Sequence, residues 1–191
     1  PKTYLSAEES RWFASGADFL SAEVRNDGAM LSNGKDTVRE GYCGEIRYAG
    51  QRTNISPNML FGIGHATFAV ELGNDLWAPV APSSFHVLQG AQIVVNLSAD
   101  REILMREQYR TDLLKGHSAK TLCGYVYASA GFGESTQDNV YAGAASVWEN
   151  GEVLAENERF RTEPSLITAD IDIEKLENIR KGKPGFTSCD F

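Results

Sequence analysis

Two short apolar runs constrain this chain more than anything else in it: AQIVVNL at 91–97 and GYVYASA at 124–130. Near-continuous apolar stretches of this length read as strands covered on both faces, the habit of strands inside α/β sheets. Between them the pattern predicts a helix capped by Asp100 or Ser98 and running to about Leu122. Ile103, Leu104, Tyr109, Leu113 and Leu114 form its approximately helical stripe. Upstream, Met59 to Ile63 and Thr67 to Leu72 read as strands, and Ser83 opens a short helix to Gln89 just behind Pro82. Downstream, AASVWENGEVLAE at 144–156 is two alternating strands around Asn150-Gly151, a favoured two-residue hairpin turn. Leu166 to Ile171 adds a strand, and Asp172 caps a short polar helix to Lys181. The sum is a layered α/β fold with a mixed sheet.

The remainder is less legible. Lys2 to Leu5 is short and extended, and Glu8 to Ala14 holds a helical turn or two. Residues 16–53 are rich in Gly, Asn, Asp and Ser and read as long loops with a hairpin that includes Glu45 to Tyr48. The last ten residues, GKPGFTSCDF, look like the start of a linker, so the expected organisation is one domain over 1–181 and a linker over 182–191. The chain opens PKTYLSAEES with neither an initiating Met nor a signal-peptide pattern. An opening at Pro1-Lys2, inside what reads as a strand, suggests a fragment of a longer chain.

Composition narrows the function classes. With 42% hydrophobic and 23% charged residues in 191, the chain suits one globular domain. Its 18 basic against 26 acidic residues give a net charge of −8, which offers no footprint for a nucleic-acid backbone or an acidic membrane surface. No apolar run reaches the ~20 residues a bilayer span needs. The three cysteines, Cys43, Cys123 and Cys189, are an odd number at unrelated spacings, so a reducing, cytoplasmic setting is expected.

Single motifs do not reveal a catalytic centre. Cys123 opens a buried strand with no His near it and reads as a structural thiol. His65, His86 and His117 share no metal-ligand spacing, so no metal site is expected. FGIGH (61–65) and ASAGFGES (128–135) lack the P-loop pattern and read as turns after strands, although the second could line a pocket. There is no G-x-S-x-G elbow, no defensible Ser-His-Asp order and no SGG-x-D-S pyrophosphate loop.

Several segments taken together carry more. PKTYL at the start, RWFASG (11–16), VELGNDLWAPVAPSS (70–84), VVNLSA (94–99), YVYASAGFGEST (125–136) and ENGEVLAENERF (149–160) fall in one order. In that order they resemble the glutaminase domain of bacterial glutamine-dependent NAD synthetases, a branch of the nitrilase (carbon–nitrogen hydrolase) superfamily. The resemblance implies an α-β-β-α sandwich, here partial, with N-terminal strands missing. It also implies a Cys–Lys–Glu triad. The Cys attacks the side-chain amide of glutamine, the Glu moves the proton, and the Lys helps hold the oxyanion. A thioester forms, ammonia leaves, and water releases glutamate. The resemblance further implies a homo-oligomer and no cofactor in this domain, since ATP and magnesium serve a separate synthetase domain.

Carried over residue by residue, the family's Lys matches Lys2. Its Glu falls upstream of anything in this chain. The Cys motif E-[IL]-C-E-D-L-W aligns with Glu71-Leu72-Gly73-Asn74-Asp75-Leu76-Trp77, which puts Gly73 at the nucleophile position and Asn74 where a Glu follows it. By the same resemblance Asn74, Trp77, Ser98 and Asp100 are the candidate substrate-binding residues, with Asp100 replacing a small polar residue. The stretch after PKTYL is also shorter than in the family. Loss of the nucleophile costs a covalent hydrolase on the order of 10⁶-fold. The leading expectation is therefore a glutaminase-type domain that is catalytically silent as written. Two alternatives stand beside it: an assembly domain kept for its fold, and a small-molecule binder without turnover. A sandwich missing a core strand exposes an edge and an apolar face, so folding with a partner copy is one consequence.

Overall fold

Three parallel strands and the two helices between them organise the larger part of the molecule. The fold is that of a computed structural model, which describes residues 2–16, 44–134 and 138–188. The chain divides into two units, Pro1–Met59 and Leu60–Phe191.

In the second unit, β3 (Leu60–Ile63), β4 (Ala66–Leu72), β5 (Ile93–Ser98), β6 (Gly124–Ser129), β7 (Ala145–Glu149) and β8 (Glu152–Glu156) form one sheet in sequence order. β4, β5 and β6 are parallel, with Ala69 beside Val94 and Val94 beside Tyr125; the outer pairs are antiparallel. Helix α1 (Pro82–Leu88) links β4 to β5, and α2 (Arg106–Thr121) links β5 to β6. Because the order advances 4-5-6 without reversal, right-handed crossovers put both helices on one face. That face holds the core: Ala69, Val94, Tyr125, Tyr127 and Trp148 from the strands meet Val87 and Leu114 from the helices. Helix α3 (Ile173–Lys181) runs past the strand starts, where Arg180 donates to the carbonyls of Leu122 and Ala91. Phe186, in the short helix α4 (Pro184–Thr187), packs against the same core.

The Asn150-Gly151 hairpin forms as the dipeptide predicts, with φ of 47° and 87°. A Cβ on Gly151 would come 2.8 Å from Ala119 Cβ in α2, so steric room as well as backbone sign requires glycine there. Asp172 caps α3 as predicted, accepting from the Lys175 N–H.

Other local expectations are corrected. Residues 165–172 form no strand; Ile171 instead lies over Gly124, where a Cβ would approach its Cδ1 to 2.8 Å. Helix α1 begins one residue early, with Pro82 as its first residue and Ala81 as its cap, because proline suits the first helical position. Neither Asp100 nor Ser98 caps α2, which starts at Arg106 behind Met105 at φ 66°. Ile103 and Leu104 precede that helix and are exposed, so the stripe narrows to Leu113 and Leu114. Phe61 to Ile63 lie within β3, so only Gly64 and His65 of FGIGH form the turn.

In the first unit, β1 (Gly44–Tyr48) and β2 (Gln51–Ile55) pair antiparallel as the expected hairpin. Residues 2–5 are irregular rather than a strand, and Glu9–Arg11 make a single 3₁₀ turn. The loop reading of 17–43, with Cys43, lies outside the described residues, as does Cys189.

Candidate functional site

The carboxyl ends of parallel strands are where α/β sheets place reactive groups, because loops there converge over the sheet edge. β4 ends at Leu72, and the chain turns at once through a 3₁₀ segment, Gly73–Trp77. Gly73 opens it at φ 51°, a left-handed conformation that costs an L-residue about 1–2 kcal/mol. The turn is tied back to the strand by Asp75, which is buried and accepts from the Leu72 N–H at 3.4 Å. Gly73 and Asn74 are half-buried at the surface of this elbow.

Below the elbow lies a polar network that the sequence reading missed. Glu71 is 2% exposed, yet no Lys or Arg pairs with it among the described residues. Its carboxylate accepts from the Tyr125 hydroxyl, from Asn96 Nδ2 at 3.4 Å and from the Ser83 N–H at 3.2 Å. Asn96 also donates to the Tyr125 oxygen at 3.1 Å. Burial, then the charge and hydrogen bond of Glu71, pushes the Tyr125 hydroxyl well above its ordinary range. Ser83 Oγ lies 2.8 Å from His117 Nε2, and the His117 ring meets Tyr125 edge-on. Burial, helped by the Lys120 charge, lowers His117 to about 4. The Ser83–His117 distance is that of a hydrolase dyad, but Ser83 is fully buried, so no substrate carbonyl can reach it. The network holds strand ends and helix starts together. Its signal in the sequence was a Glu, an Asn and a Tyr at inward positions of apolar strands, each of which demands a partner.

Beside the elbow, Trp77 is covered by the Arg106 guanidinium, 3.5 Å from its ring centre, and by Tyr109 at 5.2 Å. Arg106 is held by Asp100, donating through Nε at 3.1 Å and Nη2 at 2.7 Å; Arg110 reaches the same carboxylate at 3.4 Å. Asp100 is thus spent on two guanidinium groups. Ser98 ends β5 half-buried, its carbonyl accepting from the Ala130 N–H at 2.9 Å. The structure therefore joins Trp77 to Asp100 through Arg106, with Gly73 at the other end of the same 3₁₀ segment.

Lys2 belongs to the other unit. There it pairs with Glu9 at 2.5 Å. Burial works to raise the Glu9 carboxyl. Hydrogen bonds from Lys2 and Ser6, with the Lys2 charge, outweigh that and hold it below its ordinary value. Cys123 is fully exposed to nothing: it is buried, and burial raises its thiol to about 11, so it is no nucleophile at neutral pH. Among the described residues no cluster of three or more His, Cys, Asp or Glu is placed to hold a metal ion, and no helix is long and apolar enough to cross a membrane. A cleft of about 340 Å³ opens elsewhere, between α2, β7 and residues 156–160, and none of the predicted site residues line it.

The fold is that of the nitrilase, or carbon–nitrogen hydrolase, superfamily. A carbon–nitrogen hydrolase from Helicobacter pylori matches 66% of this chain and 46% of its own at a TM-score of 0.54 and 19% identity. A glutamine-dependent NAD(+) synthetase from Cytophaga hutchinsonii matches 83% of this chain and 22% of its own at a TM-score of 0.60 and 22% identity. Within that superfamily the chain is a relative of the glutamine-dependent NAD(+) synthetases, 37% identical to that of Mycobacterium tuberculosis over 148 residues. That match takes in 75% of this chain and 22% of the relative, so the chain spans about a fifth of the length of the curated relatives it matches. No protein-family model matches the chain.

Proposed function

We propose that this chain is a glutaminase-type nitrilase scaffold whose amide-hydrolysing step is lost. The observation that carries the reading is Gly73, which keeps the left-handed elbow at the end of β4 and offers no nucleophile. In the family's chemistry a thiolate at this position attacks the amide of glutamine. Trp77 and Ser98 then line the glutamine site with Asn74, while Asp100 acts at one remove by holding Arg106 over Trp77. Lys2 is the oxyanion-holding residue of this reading, and the domain itself draws on no cofactor. We place the protein in the cytoplasm, on the odd cysteine count, and expect it to associate with itself.

The test is ammonia release from glutamine. The chain as written should give none above background, whereas Gly73→Cys with Asn74→Glu, in a chain that supplies the upstream Glu segment, should restore it. Hydrolysis by the unaltered chain, or a thioester trapped on Cys123, would overturn the reading.

A further inference from the structure

Among the described residues six charges stand in one series, each paired with the next: Arg106, Asp100, Arg110, Glu102, Arg159 and Glu107. Three are cations and three are anions, so the series balances within itself. Arg110 and Arg159 each touch two of these carboxylates, whereas Arg106, the member that lies over Trp77, touches one. That one, Asp100, takes a whole edge of the guanidinium. Nε donates to both of its oxygens at 3.1 Å, and Nη2 donates to Oδ1 at 2.7 Å. Edge-on, two-point pairing is how an arginine recognises the carboxylate of a ligand. The Asp100 side chain is 5% exposed and that of Arg106 is 22%, so the guanidinium is the partner that solvent reaches.

We infer that Asp100 is a built-in substitute for the substrate's carboxylate: it sits on the arginine that would anchor that group and so weakens the elbow's hold on glutamine. The inference rests on the glutamine site put forward above, and it adds the loss of an anchor to the loss of the nucleophile. Charge balance supports it. By the resemblance, position 100 takes a small polar residue, which brings no charge and cannot fill a guanidinium edge. Without the Asp100 carboxylate the series carries one surplus positive charge. Arg110 keeps Glu102 at 3.3 Å, so the surplus falls on Arg106, against Trp77. With Asp100 in place there is no surplus, and an arriving carboxylate adds an unpaired negative charge to a half-buried site.

A tethered carboxylate also acts at an effective concentration in the mM range or above, which a dilute free one does not match. The spacing fits as well. Gly73 and Trp77 are the two ends of one 3₁₀ segment, about 8 Å apart at ~2 Å per residue, with room for an amide at one end and a carboxylate at the other.

Asp100→Ser in the full chain tests this through the indole emission of Trp77. Added glutamine should return the emission toward that of the unaltered chain, and glutaminamide, which lacks the carboxylate, should leave it where it is. The unaltered chain should bind glutamine at least about tenfold more weakly than the variant. Asp100→Ser combined with Arg106→Ala should respond to neither compound. If Asp100→Ser does not hold its fold, its unfolding midpoint is the readout: glutamine should raise it and glutaminamide should not. Acetate restoring the emission while glutamine does not would mark Asp100 as a structural counter-ion whose cavity any small carboxylate refills, and would overturn the inference. So would equal glutamine affinity in the unaltered chain, or an equal response to glutaminamide. None of these readouts needs turnover. Silence of the Gly73→Cys, Asn74→Glu chain in ammonia release overturns the nucleophile reading and leaves them untouched. A restored chain whose KM for glutamine does not fall about tenfold on adding Asp100→Ser, at nearly constant kcat, overturns the anchor alone.

Discussion

The hydroxyl of Ser83, with no exposure to solvent, sits 2.8 Å from Nε2 of His117, joining the start of α1 to the middle of α2. Burial of the ring, with the nearby Lys120 charge, keeps the imidazole neutral and gives the fold an acid limit. His117 titrates at about 4 in the folded chain against an ordinary 6.5, so the unfolded state binds the proton first. Stability is full above about pH 6.5 and falls as pH drops toward 4, by at most about 3 kcal/mol. Urea midpoints taken from pH 7 to 4.5 should show this slope, and His117→Gln should flatten it.

Gly73→Ala asks whether the elbow is held by its backbone. With φ at 51°, a β-carbon there should cost about 1–2 kcal/mol, read as a lowered unfolding midpoint without change in fold. An unchanged midpoint would mean that the turn relaxes and the left-handed elbow is not fixed.

Asp100→Asn removes the carboxylate shared by Arg106 and Arg110. Arg110 keeps Glu102 at 3.3 Å, so the loss should be on the order of 2–4 kcal/mol, below that of a fully orphaned buried charge. Arg106, no longer gripped, should leave the Trp77 ring, and the indole emission should shift in step with the same change in Arg106→Ala.

Cys123 should resist alkylation at pH 8 in the native chain and react only on unfolding, since a buried thiol raised to about 11 is almost wholly protonated there. Peptide mapping after labelling separates it from Cys43 and Cys189.

How much of this was legible in the sequence depends on what each residue answers to. AQIVVNL, GYVYASA and Asn150-Gly151 answer to local physics, burial on two faces and backbone sign, and they folded as read. Leu166 to Ile171 is equally apolar, yet it is held by a contact with Gly124 and by the Asp172 N–H to Glu149, not by a ladder, so periodicity alone misplaced it. Asp100 carries the look of a helix cap; Arg106 and Arg110, six and ten residues on, outcompete the helix N–H groups for it. At the site, the order of motifs located the elbow. Nothing local announced that Glu71, Asn96 and Tyr125 would meet, because strands 25 or more residues apart in sequence bring them together only when the sheet closes, with Ser83 added from the start of α1.

The elbow at Gly73 also has a genetic reading. Its left-handed turn is written into the backbone and held by Asp75, not by whichever side chain stands at its tip. Glycine and cysteine codons, GGU or GGC against UGU or UGC, differ by one base, whereas asparagine to glutamate at the next position takes two. Where the glycine codon is GGU or GGC, a single transversion sets a thiol at the elbow, and the left-handed turn charges that side chain the same backbone cost as any other.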